Sequence, residues 1–243
     1  MVMSLENSLN CIIFGDLTLQ NRHLCLEMAS HKYNVAFNYS DVTEEFLEPL
    51  VKKIKEYGVE VIAYNTETDN TDGVKNMMQT VKDTWKTISV LINSCDYQKS
   101  NSLLDASYED FNKLVAYNLS SIYQSSKSIL QAMIFKRRGM IINISSSYGF
   151  KVSTNIGSAY AATKAGIVGF TRSLAKEVAR YGITVNTLLL KEIGEDINYS
   201  EHMDLEEVTK QEIAKDIYQI CHCSKNITGQ VIGLDSGYTD FMF

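Results

Sequence analysis

The sequence predicts a doubly wound α/β fold: a parallel β-sheet with helices on both faces. Three observations carry that expectation. Short apolar runs alternate along the chain with amphipathic stretches of helical length. The runs are apolar throughout rather than alternating apolar and polar, as a sheet covered on both sides requires. No Pro-, Gly- or Ser-rich linker interrupts them, and Pro49 is the only proline. Strands alternating with helices make βαβ units, and these build a parallel sheet.

The elements follow in order. Cys11 to Phe14 is a buried strand ending at Gly15, and Asn21 to His31 has helical spacing of Leu24 and Met28. Val35 to Tyr39 is a second strand, and Thr43 to Gly58 a helix that Gly58 stops. Val59 to Tyr64 is a third strand, Val74 to Lys86 a helix, and Ile88 to Asn93 a fourth strand. Tyr108 to Arg137 is a long helical stretch broken near its start, and Gly139 to Ser145 is a fifth strand. Ser158 to Tyr181 is a helix, Gly182 to Leu190 a sixth strand, Gln211 to His222 a helix and Thr228 to Leu234 the last strand. The whole chain, residues 1–243, reads as one domain.

Composition removes several function classes. The formal charge is −6 and no basic tract occurs, which argues against nucleic acid or a membrane surface as partner. No apolar run approaches the roughly 18 residues of a membrane span, and the start of the chain has no basic leader pattern. The cysteines, Cys11, Cys25, Cys95, Cys221 and Cys223, are odd in number and scattered, which fits a reducing cytoplasm. Cys221-His222-Cys223 has the wrong spacing for a zinc knuckle, so no metal site is expected.

One pair points to chemistry. Tyr160 and Lys164 stand at i and i+4, on one helical face. A nearby ammonium favours the phenolate, so the phenol can exchange a proton near neutral pH. Alone, that spacing reads as a surface tyrosine beside a solvated lysine. Its context is more specific. Upstream runs Gly139-Met140-Ile141-Ile142-Asn143-Ile144-Ser145-Ser146-Ser147-Tyr148-Gly149. Downstream come Ala165-Gly166-Ile167-Val168-Gly169-Phe170, then Gly182-Ile183-Thr184-Val185-Asn186, then Thr228-Gly229-Gln230 through Gly237-Tyr238. From Cys11 to Tyr238 the chain resembles the classical short-chain dehydrogenase/reductase family, most closely its 3-oxoacyl-acyl-carrier-protein reductase branch.

That resemblance implies an oxidoreductase that reduces a ketone or 3-oxoacyl group with NADP(H) or NAD(H). It implies a catalytic set of Asn118, Ser146, Tyr160 and Lys164, with Tyr160 as proton donor. Ser146 is preferred by counting from the strand, and Ser147 by counting back from Tyr160. Gly15, Asn38, Asn93 and Lys164 are the implied cofactor-binding positions. NADP is weakly favoured because the second strand ends in Asn38-Tyr39-Ser40, without the acid that would hold a ribose 2′-hydroxyl, although Asp41 stands just beyond. The resemblance also implies a small carbonyl or acyl substrate, assembly as a homodimer or homotetramer, and a cytoplasmic place in fatty acid synthesis.

The cofactor half departs from the family. The Gly-rich turn that lets backbone approach pyrophosphate is Gly15-Asp16-Leu17-Thr18-Leu19-Gln20-Asn21 here, with Leu19 and Asn21 at glycine positions. Asp16 adds negative charge where an anion is expected. Asn93-Ser94-Cys95 replaces Asn-Ala-Gly, Leu190-Lys191 replaces Pro-Gly, and the segment from Lys191 to Ile227 is short. These departures define the alternative expectation: an inactive member that has lost the dinucleotide and acts as a partner subunit or binds another ligand.

Overall fold

The computed structural model describes residues 9–99, 102–150, 156–190, 203–223 and 226–234. Seven parallel strands form one sheet in the order β3-β2-β1-β4-β5-β6-β7. They are β1 (Leu9–Phe14), β2 (Tyr33–Tyr39), β3 (Val61–Asn65), β4 (Val90–Asn93), β5 (Gly139–Ser146), β6 (Ile183–Leu190) and β7 (Val231–Leu234). The helices are α1 (Leu19–Ser30), α2 (Glu44–Glu56), α3 (Thr71–Trp85), α4 (Tyr108–Val115), α5 (Ser121–Lys136), α6 (Ser158–Val178) and α7 (Met203–Cys223).

Side chains of a strand point alternately to its two faces. Cys11, Ile13, Val35, Phe37, Ile92 and Ile142 pack on one face with Leu24 and Met28 of α1, Ile54 of α2 and Ile217 of α7. Ile12, Phe14, Ala36, Leu91, Ile141 and Val185 pack on the other with Met77 of α3, Ile129 of α5 and Ile167 of α6. Both sets are wholly buried, which is why the strands are apolar without alternation. Each fully buried Ile or Leu contributes about 1.5–3 kcal/mol relative to exposure.

Most element ends differ from the sequence expectation by a few residues, for identifiable reasons. α1 starts at Leu19 because the Thr18 hydroxyl accepts from Asn21 N. α3 starts at Thr71 because the Asn70 side chain accepts from Gly73 N at 3.0 Å. α6 stops at Val178, and one tight turn, Ala179–Tyr181, leads to Gly182 at φ 71°. α7 begins eight residues before the expected start, in a polar segment with no apolar period to mark it. Thr228 to Gln230 lie outside β7. Gly229 has a φ of 71°, and Thr228 Oγ1 accepts from Val185 N of β6 at 3.0 Å.

Candidate active site

The chain builds β1 to β3 outward on one side of the sheet, then crosses to place β4 on the other side of β1. Ligands of open parallel sheets bind at such a switch point, beyond the carboxyl ends of the strands. A cleft of about 320 Å3 lies there. Thr18, Leu19 and Gln20 at the start of α1 line one part of it. Ser94, Cys95 and Asp96 after β4, Ser145 and Ser146 of β5, and Lys164 of α6 line another part.

Tyr160 and Lys164 occupy successive turns of α6 and are 0% and 2% exposed. The Lys164 ammonium lies 5.3 Å from the Tyr160 ring centre. It donates to Cys95 O at 3.1 Å and pairs with Asp96 Oδ1 at 2.9 Å. The Tyr160 hydroxyl donates to the same Asp96 oxygen at 2.9 Å. Asn118 sits in a π-helical turn, Ala116–Ser120, that separates α4 from α5; wide turns of this kind are frequent at functional sites. Its Oδ1 accepts from Tyr97 N at 2.7 Å, and its Nδ2 donates to Tyr97 O at 2.8 Å and to Thr163 Oγ1 at 3.3 Å. Ser146 lines the cleft and its hydroxyl accepts from Tyr148 N at 3.1 Å. Ser147 is buried outside the cleft lining, so the structure brings Ser146, rather than Ser147, to the site. Ser145 donates to Lys164 O at 3.0 Å and so ties β5 to α6 beneath the cleft.

The other expected residues serve the frame. Asn38 is fully buried; its Oδ1 accepts from Gly15 N at 2.9 Å, and its Nδ2 donates to Thr66 O and Thr68 Oγ1. Asn93 donates to Asn143 Oδ1 at 2.7 Å and accepts from Ser125 Oγ at 2.6 Å, both buried. Neither amide lines the cleft. Gly15 has φ +142°, and a Cβ there would stand 2.2 Å from Ser94 O, so glycine is required by the approach of the two strand ends. Asp96 was not anticipated, although a charged residue just past a buried parallel strand stands where ligands bind. Lys210 of α7 also lines the cleft, and its carbonyl accepts from Gln20 Nε2.

A sheet of this order with a buried tyrosine–lysine pair over its switch point defines a dinucleotide-fold oxidoreductase class. The sequence model of the short chain dehydrogenase family matches residues 21–203. A 3-oxoacyl-acyl-carrier-protein reductase of Staphylococcus epidermidis is 31% identical over 229 residues, covering 89% of this chain and 93% of that protein. A reductase of the same name from Synechocystis is 30% identical, covering 89% and 91%. An acetoin dehydrogenase structure from Enterobacter cloacae superimposes with a TM-score of 0.84 at 19% identity, over 97% of this chain and 99% of that one. A variant of actinorhodin polyketide ketoreductase with NADPH gives a TM-score of 0.83 at 20% identity, over 97% and 99%. The chain belongs to the short-chain dehydrogenase family.

The family implies a nicotinamide dinucleotide, and the residues present fit one. The capped amino end of α1 opens on the cleft, where backbone N–H groups and the helix dipole favour an anion. The replaced positions obstruct less than their identities suggest. Asn21 donates to Asp16 O at 2.6 Å and to Ser94 O at 3.5 Å, tying the loop to the end of β4. The Cys95 thiol donates to Phe14 O at 3.6 Å. The Asp16 carboxylate accepts from Thr68 Oγ1 at 2.9 Å and does not line the cleft. Leu19 and Leu190 do line it; Lys191 lies outside the described residues.

Proposed function

We propose that the protein reduces a ketone or 3-oxoacyl group at the expense of NADPH or NADH. The observation that carries this reading is that Lys164 and Asp96 line a cleft that also opens on the amino end of α1, with the buried Tyr160 hydroxyl bonded to Asp96 just behind them. The bound nicotinamide would supply a hydride to the carbonyl carbon. Tyr160 gives its hydroxyl proton to the carbonyl oxygen as that carbon is reduced, leaving an alcohol and a phenolate that water re-protonates. Lys164 stabilises the charge that develops on Tyr160. Ser146 orients the carbonyl oxygen by a hydrogen bond from its hydroxyl, and Asn118 fixes the loop that covers Tyr160 and Lys164. Gly15, with the amino end of α1, accommodates the pyrophosphate, and Lys164 also holds the nicotinamide ribose.

NADP is the preferred form. β2 ends in Asn38 and Tyr39; Asn38 is spent inside the fold, and neither residue supplies an acid for a ribose 2′-hydroxyl. The relatives named for 3-oxoacyl reduction support an acyl or ketone substrate. Copies of the chain pair through α6, where Gly169 is exposed with nothing within 4 Å of an added Cβ.

Titration of the purified protein with NADPH and NADH by calorimetry tests the reading. Micromolar binding is expected, tighter for NADPH. Tyr160→Phe is expected to bind the dinucleotide as well as the natural protein and to lose on the order of 10²–10⁴-fold in turnover of a 3-oxoacyl thioester. No binding of either dinucleotide at millimolar concentration would overturn it.

A further inference from the structure

Asp96 is held in place from both sides. Lys164 grips the carbonyl of Cys95 before it, and Asn118 grips both the N–H and the carbonyl of Tyr97 after it. Asn118 and Lys164 are themselves buried, at 0% and 2% exposure. The carboxylate between them is thereby fixed against the Tyr160 hydroxyl and the Lys164 ammonium, both at 2.9 Å from Oδ1. Its side chain is 51% exposed, whereas Tyr160 is wholly buried.

We propose that Asp96 is a positioning residue that holds the Tyr160 proton on the phenol and so commits Tyr160 to proton donation. A phenolate at Tyr160 would put a second negative charge within hydrogen-bond distance of the carboxylate. Lys164 opposes this, but its charge is shared with Asp96. Other charges face the site less directly. Asp16, from the loop after β1, acts electrostatically on Cys95 with the same sign as Asp96. Lys210 lines the cleft from α7. Lys113 lies over the Tyr97 ring at 5.0 Å, and Lys99 is paired with Asp110 at 2.5 Å. Among the described residues, Lys164 is the cation bonded to Asp96. Carbonyl reduction needs the phenol and alcohol oxidation needs the phenolate as base. The carboxylate therefore favours reduction at neutral pH and delays oxidation to alkaline pH. This directional consequence rests on the reductase reading; the effect on Tyr160 does not.

The test is a pH titration of the dinucleotide-free protein by NMR, with tyrosine labelled at Cζ and the Tyr160 signal assigned by its loss in Tyr160→Phe. Asp96→Asn keeps the shape and removes the charge, and Asp96→Ser removes it with a smaller side chain. Both are expected to lower the ionisation midpoint of Tyr160 by about one pH unit. A midpoint that is unmoved or raised in both variants would overturn the proposal. A lowered midpoint in a protein that binds no dinucleotide would uphold the role of Asp96 and overturn the reductase reading. An unmoved midpoint in an active reductase would do the reverse.

Discussion

Asn38 shows how much one buried amide carries. It joins the end of β1, through Gly15 N, to the segment after β3, through Thr66 O and Thr68 Oγ1. Replacing it by leucine leaves those buried partners without a bond, each at a cost of about 1–3 kcal/mol. Asn38→Leu is therefore expected to lower unfolding stability by about 2–4 kcal/mol, read by urea denaturation. Gly15 is constrained by contact rather than bonding. Gly15→Ala forces a Cβ to 2.2 Å from Ser94 O, so the two strand ends must separate. The expected loss is about 2 kcal/mol or more, together with weakened dinucleotide binding in a calorimetric titration.

At the scale of elements, two helix features set the site. The π turn at Ala116–Ser120 carries Asn118 into the interior, where it clamps the loop holding Asp96. Asn118→Ala frees both backbone groups of Tyr97. Turnover is expected to fall at least tenfold while the protein stays folded by circular dichroism, because the loss falls on a loop and not on the sheet. The start of α1 is the second feature. Leu19 lines the cleft beside backbone N–H groups that favour an anion. Leu19→Gly is expected to tighten NADPH binding several-fold, at a helix cost of about 1 kcal/mol, measured by calorimetry and thermal melting. A weaker affinity would show that the leucine contributes contact rather than obstruction.

At the scale of the whole molecule, four cysteines among the described residues, Cys11, Cys25, Cys95 and Cys221, lie inside the two-sided core. Burial pushes the Cys95 and Cys221 thiols from 9.0 up to about 12, and raises Cys11 and Cys25 well above the ordinary value. Burial, with Cys11 and Cys221 nearby, also raises the Tyr33 phenol from 10.0 to about 12. The folded state thus favours the protonated forms. Their contribution to stability is present below the ordinary value of 9.0 and is lost as pH rises toward about 12. The urea midpoint is expected to decline progressively above about pH 9. Iodoacetamide at mildly alkaline pH is expected to leave these thiols unmodified until the chain unfolds.

Among the described residues, no helix is long and apolar enough to cross a membrane. No group of metal-ligating side chains is found among them either.

The sequence by itself determined the element order, the parallel sheet and the tyrosine–lysine pair. These depend on patterns within a few residues: apolar runs, helical periods, and i to i+4 spacing on one helix. The break before α5 was legible for the same local reason. Tertiary structure decided what crosses between elements. Asn38 and Asn93 stand at strand ends where a ligand was expected, yet partners on neighbouring strands and helices draw both amides inward. Asn21 and Cys95 replace glycines, yet their side chains bond Ser94 O and Phe14 O, carbonyls brought near by the pairing of β1 with β4. Asp96 reaches Tyr160 across 64 residues of chain, and no local period records such a contact. Hydrophobic spacing repeats along the chain and can be read from it, whereas a hydrogen bond between distant strand ends exists only once the sheet has closed around it.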